Sequence, residues 1–310
     1  MFSLSGWEVA GLISKLGIYP GIAAALGGPL VLLFYHDGSR RLTRDVLVYI
    51  ALAGLLAFHS ALAYFLIQVG TISGSGVAGM FDWTMINLLL DTPLGDSSLL
   101  RLTSFVAMFL LALFYLYRIR ELQSPPEQLF YSRLFALLFL CALIAAGSFR
   151  STGHLAVFGN TAQLAIALHL LAFGTWVGAL LPLAWLCNSP EIAQLKTNMQ
   201  RFGAHARFIL IVLLAAGIYM LTELLTTPSD LIATPYGFAL SIKLALVGLL
   251  LLLAARHRWF LVPALGTQEA GLKLQRSIYV ELVVALVLLC VTAYFSTMLA
   301  PPAGSAMMAL

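Results

Sequence analysis

One apolar stretch, Leu168-His169-Leu170-Leu171-Ala172-Phe173-Gly174-Thr175-Trp176-Val177-Gly178, does most to decide the fold. It lies inside a longer apolar segment that begins near Asn160. At about 1.5 Å per helical residue, His169 is ~13 Å from that start, close to mid-bilayer if the segment crosses a membrane. An ionisable side chain at that depth is costly, so His169 is a candidate functional residue. Gly174 and Gly178 share another face, where a neighbouring helix can approach closely.

The composition of the whole chain indicates a membrane protein. Of its 310 residues, 61% are hydrophobic and 10% are charged, whereas about a quarter of the residues of a soluble domain are charged. We therefore predict an all-α, polytopic integral membrane bundle that forms a single transmembrane domain over residues 1–310 and contacts membrane lipid. The net charge of +4 does not indicate nucleic-acid binding.

Hydropathy predicts eight membrane-spanning helices. We expect the first to be kinked by its prolines and to be retained, because no signal-peptide pattern precedes it. A short interfacial helix is predicted at 81–90, and residues 188–200 and 256–276 are predicted to be polar loops. The predicted spans are 9–35, 46–69, 98–117, 129–149, 161–186, 202–226, 235–255 and 277–299.

The distribution of Lys and Arg predicts the orientation, because cytoplasmic loops carry an excess of basic residues. The opposite set of loops and helix ends has only Arg101 and Arg150. Both termini, the 70–97 loop, the junction that contains His154 and the 227–234 loop are therefore predicted to be periplasmic. The basic set is Arg40, Arg41, Arg44, Arg118, Arg120, Arg133, Lys196, Arg201, Arg207, Arg256, Arg258, Lys273 and Arg276.

Three ionisable residues lie at similar depth in three predicted spans. They are His59 in the second span, His169 in the fifth and Lys243 in the seventh. The two histidines either converge on one site or pair separately with carbonyl or hydroxyl groups of neighbouring helices. Lys243 has Glu223, in the sixth span, as an alternative partner.

The remaining ionisable residues at the predicted cytoplasmic helix ends are interpreted as structural. Glu281 lies close in sequence to Arg276, and we expect a local ion pair. His257, like His36 and His205, is interpreted as part of a solvated helix end rather than as a ligand.

The candidate chemistry is metal binding. Imidazole ligates copper, zinc, iron and nickel, and thioether ligands shift the preference toward Cu(I). The predicted outer loop offers Met80, Asp82 and Met85 as accessory ligands, and Trp176 shares a helix face with His169. Two facing histidines would instead suit a haem b. The sequence contains no phosphate loop, Gly-x-Ser-x-Gly or His-Glu-x-x-His motif, so we expect no enzymatic activity.

Several short motifs, taken in order, resemble the copper resistance protein D family. The resemblance is densest over residues 147–302, and Ala179 departs from it where the family often has a further glycine. The motifs are Asp91-Thr92-Pro93-Leu94-Gly95 with Arg101, Thr152-Gly153-His154, Leu168-His169-Leu170-Leu171 with Trp176-Val177-Gly178, Thr234-Pro235-Tyr236-Gly237 with Lys243, Arg258 with Pro263, Glu281, and Ala300-Pro301-Pro302.

The resemblance implies copper handling, as Cu⁺ or Cu²⁺, at the bacterial inner membrane. It implies import from the periplasm, beside a separate periplasmic copper-binding protein of the CopC type, with His154 and His169 as the first candidates for copper contact. In this hypothesis His154 captures the ion and His169 receives it at depth, with His59 as a possible co-ligand. The alternatives are a haem- or copper-bearing redox protein and a membrane partner or sensor without transport.

The predicted orientation can be tested by cysteine labelling of intact cells. In a background without the three native cysteines, Ser75→Cys and Ser229→Cys should react with a membrane-impermeant thiol reagent, because both lie on the predicted periplasmic side. Ser124→Cys should not react. Labelling of Ser124→Cys alone would reverse the orientation and move the proposed entry point to the cytoplasm.

Overall fold

The computed structural model describes residues 5–36, 38–150, 159–225, 227 and 229–299. Within this part the chain consists of helices and loops, with no β-strand. The α-helices are α1 (Gly6–Phe34), α2 (Arg40–Ser73), α3 (Trp83–Leu90), α4 (Pro93–Glu121), α5 (Gln128–Gly147), α6 (Asn160–Leu186), α7 (Ile192–Leu224), α8 (Asp230–Ala233), α9 (Pro235–Arg256) and α10 (Gln268–Met298). Short 3₁₀-helices form at Gly76–Phe81 and Ser148–Arg150, and α9 continues as a π-helical turn at His257–Leu261.

Eight helices in the described residues are long and apolar enough to cross a membrane, which confirms the predicted fold class. They are α1, α2, α4, α5, α6, α7, α9 with its π-turn, and α10. The short helix α3 also forms close to its predicted place, and the side chain of Asp82 caps it by accepting hydrogen bonds from the backbone N–H groups of Thr84 and Met85 at 2.9 and 3.2 Å.

Two helices begin nine or ten residues earlier than predicted, a larger difference than for the other spans. α7 begins at Ile192 and α10 at Gln268, so parts of both predicted polar loops are helical. Hydropathy detects only the apolar portion of a helix that continues into water. The extra turns of α10 are stabilised locally, because Thr267 caps the helix and Lys273 Nζ lies 2.7 Å from a carboxylate oxygen of Glu269.

Helix α1 lies at the centre of the bundle. It packs against α2, α5, α6 and α10. In its most apolar stretch 61% of the residues are buried, against 17% for α9 with its π-turn. Four spans therefore pack directly on α1, while α7 packs on α6, and α9 packs on α10 at the periphery.

Glycines allow the backbones of α1 and α6 to touch. A methyl group on Gly178 would overlap the carbonyl oxygen of Ala23, and one on Gly27 would overlap the backbone nitrogen of Ala179. Gly174 lies on the same face, against Leu26. The close approach expected for the Gly174 and Gly178 pair is thus confirmed, and it fixes α6 against the central helix.

The bundle has two chemically different ends. The basic end comprises the loops 35–39, 122–127, 187–191 and 262–267 with their adjoining helix turns, and it carries most of the Lys and Arg residues. The opposite end holds Gly6, α3 and Met298. Side chains join helices at the basic end: Asn198 donates to the carbonyl oxygen of Tyr35 at 2.8 Å, and Gln275 donates to that of Ala184 at 2.7 Å.

Because the backbones of α1 and α6 touch, we expect a single added methyl group at this contact to lower the stability of the protein. Gly178→Ala should lower the thermal stability of the detergent-solubilised protein, because overpacking against backbone costs about 1–3 kcal/mol. Gly248→Ala is the matched control, since a methyl group at that helical glycine would meet no atom within 4 Å. It should be neutral or stabilising. Equal melting curves for the two variants would contradict the close contact.

Candidate functional site

His169 is held against α7 by a specific contact. Its Nδ1 atom lies 3.0 Å from the carbonyl oxygen of Leu213. Its ring packs on Gly217, where a Cβ atom would be 3.2 Å from Cε1. The glycine therefore provides the space that the imidazole occupies, and the carbonyl fixes the direction in which the ring points.

This hydrogen bond determines which nitrogen of His169 is available. A carbonyl oxygen only accepts, so Nδ1 carries the proton that is donated to Leu213. In a neutral imidazole the lone pair then lies on Nε2. Among the described residues Nε2 has no hydrogen-bond partner. A metal-ligating histidine commonly has this arrangement, with one nitrogen oriented by the protein and the other free to bind.

Lys243 is the charged neighbour of His169. It is half-buried on α9, close enough for a charge on its ammonium group to act on the imidazole. Its Nζ atom lies 5.2 Å from the centre of the Phe295 ring, in a cation–π contact. The alternative pairing with Glu223 is wrong: no ion pair joins the two residues, both of which the structure describes. The Lys243 side chain instead faces the Phe295 ring of α10.

His59 has surroundings different from those of His169. Its ring is exposed on the surface of α2, and Nδ1 lies 2.8 Å from the carbonyl oxygen of Leu55 in the same helix. The Nδ1 atoms of the two imidazoles are thus bonded to carbonyl oxygens of different helices. A haem b between these histidines would need both rings on one iron, whereas Nδ1 of His59 is bonded to α2 and Nδ1 of His169 to α7.

The accessory residues of the predicted outer loop have structural contacts. Met80 packs on Gly70 of α2. Met85 packs on a small cluster formed by Phe65, Val69 and Leu89, and Asp82 caps α3. Their side chains are engaged in packing and capping within the described structure.

Trp176 is buried, with 3% of its surface exposed. It lines a cavity at the basic end rather than the surroundings of Leu213. The shared helix face with His169 is therefore a line of packing residues that extends from the middle of α6 toward the basic end.

His154, the other first candidate, lies outside the described residues. Among those that are described, no three His, Cys, Asp or Glu side chains are close enough to hold a metal ion. His169 therefore offers one metal-binding atom, and the described residues around it do not complete a coordination sphere.

Two further cations, the half-buried Lys15 and the buried Arg101, have partners that the sequence did not indicate. Lys15 Nζ donates to the carbonyl and hydroxyl oxygens of Ser296, at 3.3 and 3.0 Å. Arg101 is 4% exposed, donates from Nε to the Ser148 hydroxyl at 2.8 Å and stacks over the Phe149 ring at 4.4 Å. Lys15 alone in an apolar run was the available signal, but its partner is 281 positions away in sequence.

Two interpretations at the basic end are corrected by the structure. Glu281 is 1% exposed, and its ionic partner is His257 rather than Arg276, with Nδ1 3.1 Å from Oε2. The His257 side chain is only 13% exposed, so it is not a solvated helix end. The π-helical turn that begins at His257 changes the side-chain directions that an uninterrupted α-helix would give.

A helical bundle with eight apolar spans and an oriented histidine at depth defines the chain as a multi-pass membrane protein. The comparison with protein families narrows this class. Residues 8–161 match the N-terminal domain model of copper resistance protein D-like proteins, and residues 196–295 match the copper resistance protein D model. The chain belongs to the copper resistance protein D family. His169 falls between the two matched ranges.

A curated relative supports this assignment. The chain is 26% identical over 220 residues to the inner membrane protein YebZ of Escherichia coli (strain K12), which covers 70% of this chain and 71% of the relative. No solved structure matches the chain.

The packing of His169 on Gly217 predicts a measurable change in the imidazole. In the ¹⁵N spectrum of histidine-labelled protein, the Nδ1–H of His169 should exchange slowly with water because it is bonded to Leu213. Gly217→Leu should displace the ring and remove the slow signal, at a cost of about 1–3 kcal/mol.

Gly248→Leu is the control, because that site is open, and His169→Gln assigns the signal. Persistence of the slow signal in Gly217→Leu would contradict the packing of the ring on α7.

Proposed function

We propose that this protein moves copper inward across the bacterial inner membrane, with both of its termini in the periplasm. Membership of the copper resistance protein D family and the distribution of basic residues support the substrate and the orientation. The observation that carries the proposal is the orientation of His169, whose Nδ1 is bonded to Leu213 while Nε2 stays free at about mid-membrane depth.

His154 is proposed as the residue that captures copper at the periplasmic entrance. Copper then passes to Nε2 of His169, which becomes its donor inside the bundle. The bond from Nδ1 to Leu213 keeps the ring from rotating, and Gly217 leaves the space in which it lies. A ligand oriented in this way loses little conformational freedom when the ion arrives.

Lys243 is proposed to limit the affinity of this site. An ammonium group near the imidazole repels a bound cation, since charges act over several ångströms where water is sparse. Transport needs binding that is strong enough for entry and weak enough for release. The cation–π contact with Phe295 holds the ammonium group against α10, and no carboxylate in the described part of the chain forms an ion pair with it.

The periplasmic supplier of copper is proposed to be a separate copper-binding protein of the CopC type. The family assignment supports this proposal. In the proposed arrangement the supplier docks at the opposite end of the bundle, where α3 and the 70–97 loop lie.

Transport by purified protein in proteoliposomes tests the proposed function. Copper supplied outside, as Cu⁺ under reducing conditions and as Cu²⁺ in parallel, should enter vesicles that contain the wild-type protein. His169→Gln should abolish uptake because it removes the Nε2 donor, and His154→Ala should weaken it.

His59→Gln is the matched control. His59 is bonded to its own helix and exposed, so its replacement should leave uptake unchanged. Unchanged uptake in His169→Gln would refute the role of His169. Loss of uptake in His59→Gln, together with a haem absorption band that both histidine variants lose, would favour the redox alternative.

A further inference from the structure

A second polar site lies at the basic end, between α6, α7, α9 and α10. It is a cavity of about 220 Å³ with mainly apolar walls. Its ionisable lining residues are Glu281 from α10, His257 and Arg258 from the π-helical turn, and Arg207 from α7; the lining residues of α6 are not ionisable. The side chains of Arg207 and Arg258 are exposed, so the cavity opens toward the basic end.

Glu281 is the unusual member of this group. It is 1% exposed, and neither carboxylate oxygen accepts a hydrogen bond from any described residue. A buried carboxylate without donors is strongly unfavourable, and buried polar groups in native proteins are nearly always satisfied. Within a membrane-spanning helix the same feature marks ion pathways and proton relays.

The nearby charges indicate which species neutralises Glu281. His257 is the described residue within ion-pair distance of the carboxylate, with Nδ1 3.1 Å from Oε2, although the N–H is not aligned for a hydrogen bond. Arg207 and Arg258 line the same cavity but form no ion pair with it. Their positive charges oppose the entry of a metal cation. A proton needs no coordination sphere and can be shared with the imidazole.

A chain of polar atoms links His257 to the protein surface. Its Nε2 atom lies 2.8 Å from the hydroxyl oxygen of Ser277. That oxygen accepts a hydrogen bond from the exposed Arg256 at 3.1 Å. Because the Ser277 oxygen already accepts from Arg256, its own proton is free to be donated to Nε2, which leaves the proton of a neutral ring on Nδ1, facing Glu281.

We infer that Glu281 and His257 form a proton-exchange site that opens to the basic end of the bundle. When Nδ1 passes its proton to the carboxylate, Nε2 takes a proton from the Ser277 hydroxyl, and that hydroxyl regains one from water at the basic end; the reverse steps release it. Arg256 keeps its proton throughout and only orients the Ser277 oxygen. No bond between heavy atoms changes. The π-helical turn places His257 where it bridges α10 and the surface, and such turns are frequent at functional sites. This site is separate from His169, which contacts α7 at Leu213 and Gly217.

Infrared spectroscopy of the purified full-length protein tests this inference without a transport assay. Spectra taken across a pH series should contain a C=O band of a protonated carboxyl group that is lost in Glu281→Gln. Glu269→Gln is the matched control on the same helix, because Glu269 is exposed and paired with Lys273, and it should retain the band. Identical spectra for the wild type and Glu281→Gln at every pH would overturn the inference.

Two further variants test the relay while keeping the carboxyl group. In D₂O the band should shift as deuterium replaces the proton. Ser277→Ala and His257→Gln should keep the band but slow this shift, because each removes a link between Glu281 and the surface. An unchanged exchange rate in both variants would show that Glu281 does not exchange through His257.

A third measurement asks whether this site takes part in copper transport. That role of the site rests on the proposed function. A pH-sensitive dye inside the proteoliposomes should report proton movement when copper is added, and Glu281→Gln should lose it. Copper uptake without proton movement in the wild type would overturn a coupled role. Absence of copper uptake in the wild type would refute copper transport, while the infrared result would still decide whether the proton site exists.

Discussion

The backbone contact between α1 and α6 is the constraint on which the rest of the bundle depends. Helices in a bilayer gain no hydrophobic energy by leaving lipid for one another, so close van der Waals packing must hold them together. Gly27 and Gly178 permit that packing. The contact also fixes the rotation of α6. His169 is nine positions before Gly178, and at ~100° per residue it lies about half a turn away, facing α7. The glycine face therefore determines where the imidazole points.

Helix α9 connects the two polar sites of the molecule. It contributes Lys243 beside His169 and, at the start of its π-helical turn, His257 beside Glu281. These positions are 14 residues apart in the sequence, or ~21 Å along a helix. α9 is also among the less enclosed spans. A peripheral helix with an ionisable residue at each site can shift relative to the α1–α6 pair at lower packing cost than a central one.

The mistaken expectations share one physical cause. Glu281 was paired with Arg276 and Lys243 with Glu223 because distance along the sequence or depth in the membrane was the available guide. The rotation of each helix about its own axis decides which side chains become neighbours. Glu281 is turned into a cavity toward His257, and Lys243 toward Phe295 and His169. His59 has a similar predicted depth to His169, but it is exposed where His169 is half-buried, because the buried face of α2 is formed by residues such as Ala57, Ser60 and Ala61.

Sequence alone was sufficient to establish the all-helical membrane class, the eight spans, the close approach at Gly178 and the family. The first three depend on local composition or on spacing along one helix, which hydropathy and periodicity describe directly. The family was indicated by the resemblance of several short motifs. Tertiary structure was needed to find that His169 leaves Nε2 free, that Lys15 reaches Ser296, and that Glu281 lies buried beside His257. These features depend on which helices become neighbours and how each is rotated. That is decided by packing between residues far apart in the chain, and no local pattern encodes it.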